Sequence, residues 1–328
     1  MLDFLKVIRY KNLLFIAFIQ LVMQKVVIVP ILQTFGFQSS FDNTLLFLLI
    51  ASTVLIAAGG YVLNDYFDIK IDAINRPEKQ LVGTKISRHT AMLMHQMLTG
   101  LGIFAGLLLA FFTRSFTLGF IYIIIPGLLW FYSASYKRQL IVGNVVISFI
   151  TSISVLIVGI AQIADLQKEY EKLIFETPIP HQIYGWLGAF SIFAFLCTWI
   201  REIIKDMEDE RGDRELECHT MPVIWGIRKT KWFLYGLITV TVSGLFAANE
   251  LFIQFEGTLT LRYIIFGLFL PFAVLIYQIV LAKSREDFNQ ASTLLKIIML
   301  VGVLYGFIFY YLQARTFGIS LFNLFIVK

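Results

Sequence analysis

Apolar runs of about twenty residues, separated by short polar stretches, recur along the whole chain. At 1.5 Å per residue, one such run crosses a hydrocarbon core of roughly 30 Å as a helix. The pattern predicts nine spans, over 13–32, 44–63, 91–112, 116–132, 141–164, 183–204, 232–252, 261–282 and 293–313. The runs are apolar on every side, whereas helices of a soluble all-α protein carry one apolar stripe and a polar face. They are also long and unbroken, not alternating, which argues against a β-barrel. The expected fold class is all-α: a polytopic membrane protein with nine transmembrane helices around a central cavity. No linker or low-complexity tract divides the chain, so residues 1–328 are expected to form one domain. Asp3 interrupts the start and no small-residue cleavage site follows the first run, so that run is expected to remain as a span. The stretch 165–182 (DLQKEYEKLIFETPIPHQ) reads as a short amphipathic or irregular cap. The apolar tail after Gln313 is expected to lie along the membrane interface.

Composition supports this: 58% of residues are hydrophobic and 15% charged, against about half and a quarter in a soluble domain. The net charge of +5 fits basic cytoplasmic loops better than a nucleic-acid partner. With the N-terminus in the cytoplasm, 20 of the 27 Lys and Arg residues fall on the cytoplasmic side and six opposite, with Lys25 inside the first span. That bias fixes the expected orientation in the cell membrane. Cys197 and Cys218 form no CxxC, and His89, His95, His181 and His219 are scattered, so neither a disulfide framework nor a zinc site is implied.

Two acidic clusters change the picture from a membrane bundle to a candidate enzyme. Asn64, Asp68 and Asp72 stand at i, i+4 and i+8 just after the second span, and on a helix they would share one face. Asp206, Asp209 and Asp213 stand at i, i+3 and i+7 after the sixth. Spans two and six both run outward to inward, which puts both stripes at the same membrane face, in matching places four helices apart. That spacing resembles an internal duplication, an arrangement that sets a site between two halves. Carboxylates at a membrane face are costly unless paired, hydrated or bound to a cation. All-oxygen ligands suit Mg²⁺, which takes one or two carboxylates and shares phosphate oxygens. Two such clusters could hold ions around one diphosphate and make it a good leaving group. Arg76, Lys137, Arg138, Arg201 and Lys205 are expected close by at the same membrane face and suit the same anion. The 32 Phe and 14 Tyr are compatible with a hydrocarbon substrate and an allylic cation, although membrane cores are rich in Phe anyway.

The pattern N-x3-D-x3-D at Asn64, Asp68 and Asp72, within NDYFDIKIDAINRP, resembles that of the intramembrane UbiA-type prenyltransferases. So does D-x2-D-x3-D at Asp206, Asp209 and Asp213, within REIIKDMEDERGD and followed by Thr220, Pro222 and Gly226. YSASYKR from Tyr132, with Gly143–Asn144 after it, is similar to a third signature, and Arg9 and Asn12 match an N-terminal Arg-x-x-Asn. The wording of the second motif is most similar to the branch that makes digeranylgeranylglyceryl phosphate for ether lipids.

The resemblance implies Mg²⁺ held by Asn64, Asp68, Asp72, Asp206, Asp209 and Asp213, with Asp68, Asp72, Asp206 and Asp209 as catalytic residues. It further implies a substrate site including Arg9, Asn12, Arg76, Tyr132, Lys137 and Lys205, with Lys137 and Arg76 on the diphosphate and Arg9 and Asn12 on the acceptor. The implied partners are a polyprenyl diphosphate donor, a lipid-phosphate or aromatic acceptor and membrane lipid. Departures fall in the loops: Gln80 where the family often has Pro, Gly83–Thr84 for Ser-Gly, Glu217-Cys218-His219 before Thr220, and Tyr10 for Pro. Prenylation of an aromatic acceptor for quinone synthesis is the alternative within the class. A CDP-alcohol phosphotransferase would carry DG-x2-AR, which is absent. A cation transporter would want acidic residues near the bilayer midplane, where the spans have almost none.

Overall fold

The computed structural model describes residues 2–37, 41–253, 255–322 and 324–326. Among them, nine helices are long and apolar enough to cross a membrane. The chain packs as two compact units, Met1–Lys137 with Ile153–Gly188, and Arg138–Ser152 with Ala189–Lys328.

The first unit opens with the short helix α1 (Leu2–Val7). The first span follows, α2 (Tyr10–Val22), continued through a π-helical turn at Met23–Ile28 into α3 (Val29–Thr34). The π turn lies where buried amides meet: Gln24 Nε2 donates to Gln162 Oε1 at 2.7 Å, and Gln20 Nε2 donates to Ser154 O at 2.9 Å. Each bond satisfies an amide donor that hydrocarbon could not. α4 (Asn43–Phe67) is capped by the Asp42 side chain and leads into α5 (Ile69–Asn75). α6 (Arg88–Phe112) and α7 (Phe116–Ala134) complete the unit's long helices with part of α8 (Val142–Tyr170). α4 and α6 run antiparallel at close range. A Cβ on Gly102 would stand 3.0 Å from both the Ile56 nitrogen and the Ser52 carbonyl oxygen, so only a residue without a side chain permits this approach. Val7, Leu13, Ala58, Val62 and Ala91 form a small core beside the acidic end of α4.

The chain passes between the units after Lys137, within α8 and again within α9 (Ile179–Glu215). The second unit adds α10 (Met221–Leu251), α11 (Leu259–Tyr263), α12 (Leu270–Leu281) and α13 (Arg285–Phe317). A π-helical turn at Ile264–Phe269 joins α11 to α12 in one span. Ile200, Ile204, Leu234, Ile238, Phe272 and Leu295 close its core. Gly226 interrupts α10 at φ 76°, ψ 157°, a conformation essentially restricted to glycine.

One boundary is corrected and two segments take defined structure. The stretch 165–182 is mostly helical: α8 runs on to Tyr170, a 3-10 segment covers Glu171–Glu176, and α9 begins at Ile179. The seventh span starts at Met221, where a start at 232 was expected. After α13, Ser320–Leu321 pairs antiparallel with Phe325–Ile326, and Tyr310 Oη donates to Ser320 O at 3.2 Å.

Candidate active site

The first acidic stripe is not one unbroken helix. α4 ends at Phe67, Asp68 takes a non-helical turn (φ −91°, ψ 2°), and α5 starts at Ile69. Backbone bonds nevertheless step through it: Asp68 N to Asn64 O, Asp72 N to Asp68 O and Arg76 N to Asp72 O. The four-residue spacing therefore survives while the axis breaks at the central carboxylate.

That break lets Asp68 be held from both sides. Asn64 Nδ2 donates to Asp68 Oδ2 at 2.7 Å, and the Lys137 ammonium pairs with Asp68 Oδ1. Lys137 Nζ also donates to Asn64 Oδ1 at 3.2 Å. The pair is largely buried, with side chains 11% and 14% exposed for Lys137 and Asp68. Lys137 comes from the 3-10 turn Tyr136–Arg138 after α7, so the YSASYKR signature delivers a cation to the N-x3-D motif. Tyr132 is half-buried near the end of α7. Burial, then the Asp68 and Asp65 carboxylates, push Asp72 up to about 6 against the opposing charges of Arg76 and Arg9.

Arg9 stands between α1 and α2 in a left-handed conformation (φ 52°). Its Nη2 bonds Asp65 Oδ1 at 2.8 Å and its guanidinium lies 5.0 Å from the Tyr61 ring centroid. Asn12 follows, half-buried, in the first turn of α2. Gln80, the departure from Pro, fastens its loop to α5 by donating to Ile69 O at 3.0 Å. Gly83 beside it takes φ 87°, which a Ser would adopt only with strain.

In the second unit, Asp206, Asp209 and Asp213 all lie on α9, as their spacing predicts. Their partners differ. Asp206 Oδ2 accepts from Asn144 Nδ2 at 2.8 Å, and Asp213 Oδ2 accepts from Thr220 Oγ1 at 3.1 Å. Asp209 and Glu208 face Arg285 at the start of α13, at 3.7 and 3.8 Å, and Asn289 Nδ2 donates to Glu208 Oε1 at 3.2 Å. Lys205, expected on the diphosphate, is held by Glu202 at 3.1 Å, and Arg201 pairs with the same carboxylate at 2.9 Å. Sequence reasoning quoted Asn144 and Thr220 without giving them a task and missed Asp65, Glu202 and Arg285 as partners. The first two sat in motifs, but Arg285 carries no signal beyond its charge.

Among the described residues, no three His, Cys, Asp or Glu side chains gather closely enough to hold a metal by themselves. That arrangement still fits Mg²⁺. The donors are carboxylate and amide oxygens, and Asn64 and Asp68 already take a cation, the Lys137 ammonium. Mg²⁺ asks for one or two carboxylates, with water and substrate phosphate completing its shell.

These features define a polytopic helical membrane protein with carboxylate-rich helix ends. The chain belongs to the UbiA prenyltransferase family, whose model matches residues 27–300, and it is a multi-span membrane prenyltransferase. Arg9 and Asn12 lie before the matched range. The digeranylgeranylglyceryl phosphate synthase of Methanothermobacter thermautotrophicus is 30% identical over 268 residues, 76% of this chain and 80% of that one. That of Saccharolobus solfataricus is 29% identical over 250 residues, 76% and 79%. Among solved structures, one concerned with digeranylgeranylglyceryl phosphate synthase in membranes shares the fold at TM-score 0.61, with 24% identity and coverage of 93% and 96%. A UbiA homolog from Archaeoglobus fulgidus bound to DMAPP and Mg²⁺ shares it at TM-score 0.58, with 17% identity and coverage of 94% and 99%.

Proposed function

We propose that this prenyltransferase moves a polyprenyl group, geranylgeranyl by analogy with its relatives, from the diphosphate to a glyceryl phosphate ether lipid, with Mg²⁺ as cofactor. The observation that carries the donor half is Lys137 lodged on Asn64 and Asp68, a cation within an oxygen ligand set. The acceptor half rests on the relatives, which are digeranylgeranylglyceryl phosphate synthases.

In this reading both units work as one enzyme domain. Asn64, Asp68 and Asp72 in the first unit, and Asp206, Asp209 and Asp213 in the second, would hold Mg²⁺, which would neutralise charge on the diphosphate. Lys137 and Arg76 bind the departing diphosphate oxygens as the allylic C–O bond breaks and its electron pair leaves with the diphosphate. The acceptor hydroxyl oxygen bonds the freed allylic carbon, and its proton passes to a carboxylate, Asp72 or Asp209. Asn144 and Thr220 orient Asp206 and Asp213 by donating to one oxygen of each. Arg9 and Asn12 line the acceptor side.

The N-terminus is cytoplasmic in the cell membrane, by the Lys and Arg bias. Cys197 and Cys218 are both buried, so cysteines introduced at Lys85 and Lys168 report sidedness against a quiet background. An impermeant maleimide should reach the first only after the cytoplasmic side is opened.

The test is transfer of radiolabelled geranylgeranyl diphosphate by the purified protein with Mg²⁺, offered geranylgeranylglyceryl phosphate, hydroxybenzoate or naphthoate acceptors. Turnover should follow the glyceryl phosphate and vanish in Asp68→Ala, with the variant still folded in membranes. Retained turnover in Asp68→Ala overturns the metal assignment. A product formed only with an aromatic acceptor overturns the ether-lipid reading and leaves prenyl transfer standing.

A further inference from the structure

Within the first unit, α4, a 25-residue helix, carries Asn43 at one end and Asn64 near the other, about 32 Å apart. A groove of about 850 Å³ opens at the Asn43 end, between the end of α6 and the start of α7. Phe111, Phe112, Phe116 and Phe120 line it, each with much of its ring exposed. Arg114, in the turn between the two helices, and Lys168, on the last turn of α8, edge the same groove. A second cavity of about 540 Å³ shares Phe112 and Lys168 with the first and continues to Asp42 and Glu169. Asp42 is fixed there because its Oδ1 accepts from Leu45 N at 2.8 Å as the cap of α4. The phenylalanines and both cations thus line the first groove, and three carboxylates, Asp42, Glu169 and the buried Asp165, line the cavity that continues it.

We propose that this groove binds a membrane phospholipid whose headgroup carries a primary ammonium beyond its phosphate. The hydrocarbon chain would lie on the phenylalanines, the phosphate between Arg114 and Lys168, and the ammonium against Asp42 and Glu169. A hydrocarbon chain alone explains the aromatic wall but not the cations set beside it. A purely anionic headgroup explains the cations but meets repulsion from the carboxylates. The ammonium-bearing headgroup satisfies both charges, with its phosphate in the groove and its ammonium in the adjoining cavity, and its N–H donors suit carboxylate acceptors better than a quaternary ammonium does. The site lies at the far end of α4 from Asn64 and Asp68, so it is separate from the catalytic carboxylates of this unit.

The experiment is lipid retention by native mass spectrometry of the full-length protein. Tail-matched phosphoethanolamine, phosphocholine and phosphoglycerol lipids are supplied in equal amounts. The wild type should hold one phosphoethanolamine lipid about three- to fivefold in preference to either competitor, the range expected from two partly hydrated ion pairs. Arg114→Gln with Lys168→Gln should bring that preference to parity. Asp42→Asn with Glu169→Gln should shift it toward phosphoglycerol, and Asn at 42 keeps the helix cap. Prenyl transfer in detergent should be unchanged in both variants, which also reports an intact fold. Equal retention of all three lipids, or a wild-type preference for phosphoglycerol, overturns the proposal.

Discussion

Replacing Lys137 with Met tests the contact on which the donor site is built. The substitution keeps the length of the side chain and deletes the ammonium bridging Asn64 Oδ1 and Asp68 Oδ1. Breaking a buried ion pair from one side costs about 3–5 kcal/mol, because the remaining charge is stranded. Two features reduce the figure here. Asp68 keeps the Asn64 amide on its other oxygen, and both side chains retain slight exposure, 11% and 14%. The expected loss is about 2–3 kcal/mol without added metal, and it should be read as a lower midpoint of thermal unfolding in detergent. A divalent ion taking the vacated position would compensate, so millimolar Mg²⁺ should raise the midpoint of Lys137→Met more than that of the wild type. Transfer should still fall by about a hundredfold, since the ammonium also holds the departing diphosphate and each 1.4 kcal/mol is tenfold in rate. A double-mutant cycle with Asp68→Asn should recover most of the stability cost, because the stranded charge is then absent. Unchanged stability and turnover in Lys137→Met, or an Mg²⁺ response equal to the wild type's, would refute the assignment of this ammonium to the metal and diphosphate site.

Asp72→Asn should stabilise the metal-free protein at pH 7.5 while sharply lowering transfer. The rise from 3.8 to about 6 corresponds to roughly 3 kcal/mol of unfavourable ionisation, on the order of 1–2 kcal/mol once partial hydration is discounted. Because its folded value lies above the unfolded one, the wild type's deficit relative to Asp72→Asn should appear as pH rises through 4 to 6 and vanish below about 4; a pH series of melting curves measures it. Asn144→Leu removes a donor worth about 1.5–3 kcal/mol to a charged acceptor, so the Mg²⁺ needed for half-maximal transfer should rise several-fold in a metal titration. Gly102→Ala should cost about 1–3 kcal/mol in chemical denaturation, because the atoms its Cβ would meet on α4 include backbone at 3.0 Å.

The spans were legible because a membrane imposes a length and a polarity that the chain must meet residue by residue. All nine appear, and the acidic stripes stand at helix ends as their spacing suggests. What escaped the reading is instructive in physical terms. The expected sixth span ends at 204, and α9 runs on through the charge-rich residues to Glu215, which fits the helical spacing of Asp206, Asp209 and Asp213. The sequence Glu-Arg-Gly-Asp-Arg-Glu places Glu210 with Arg214 and Arg211 with Glu215 as four-residue pairs, which support a helix in water where apolar burial no longer does. At Asp68 the opposite happens: four-residue spacing is kept while the helix breaks, and no local propensity marks the break.

Pairing across elements is the part no single segment encodes. Arg9 meets Asp65, and Arg285 meets Asp209. In each case a basic residue adjoining one helix neutralises a carboxylate of an acidic motif on another. The two acidic motifs therefore share a second-level design that their spacing alone does not express. Each gives one carboxylate an amide donor from Asn, to Asp68 from Asn64 and to Asp206 from Asn144. Each also ties a neighbouring carboxylate to an arginine. An amide can orient a carboxylate without cancelling its charge, whereas an arginine cancels it. If Mg²⁺ is the intended ligand, the amide-bound Asp68 and Asp206 should be the stronger ligands, and the arginine-bound Asp65 and Asp209 the weaker. Substituting each of the four with Asn in turn, under the same metal titration, would order them, and a larger effect at Asp65 than at Asp68 would reverse this argument.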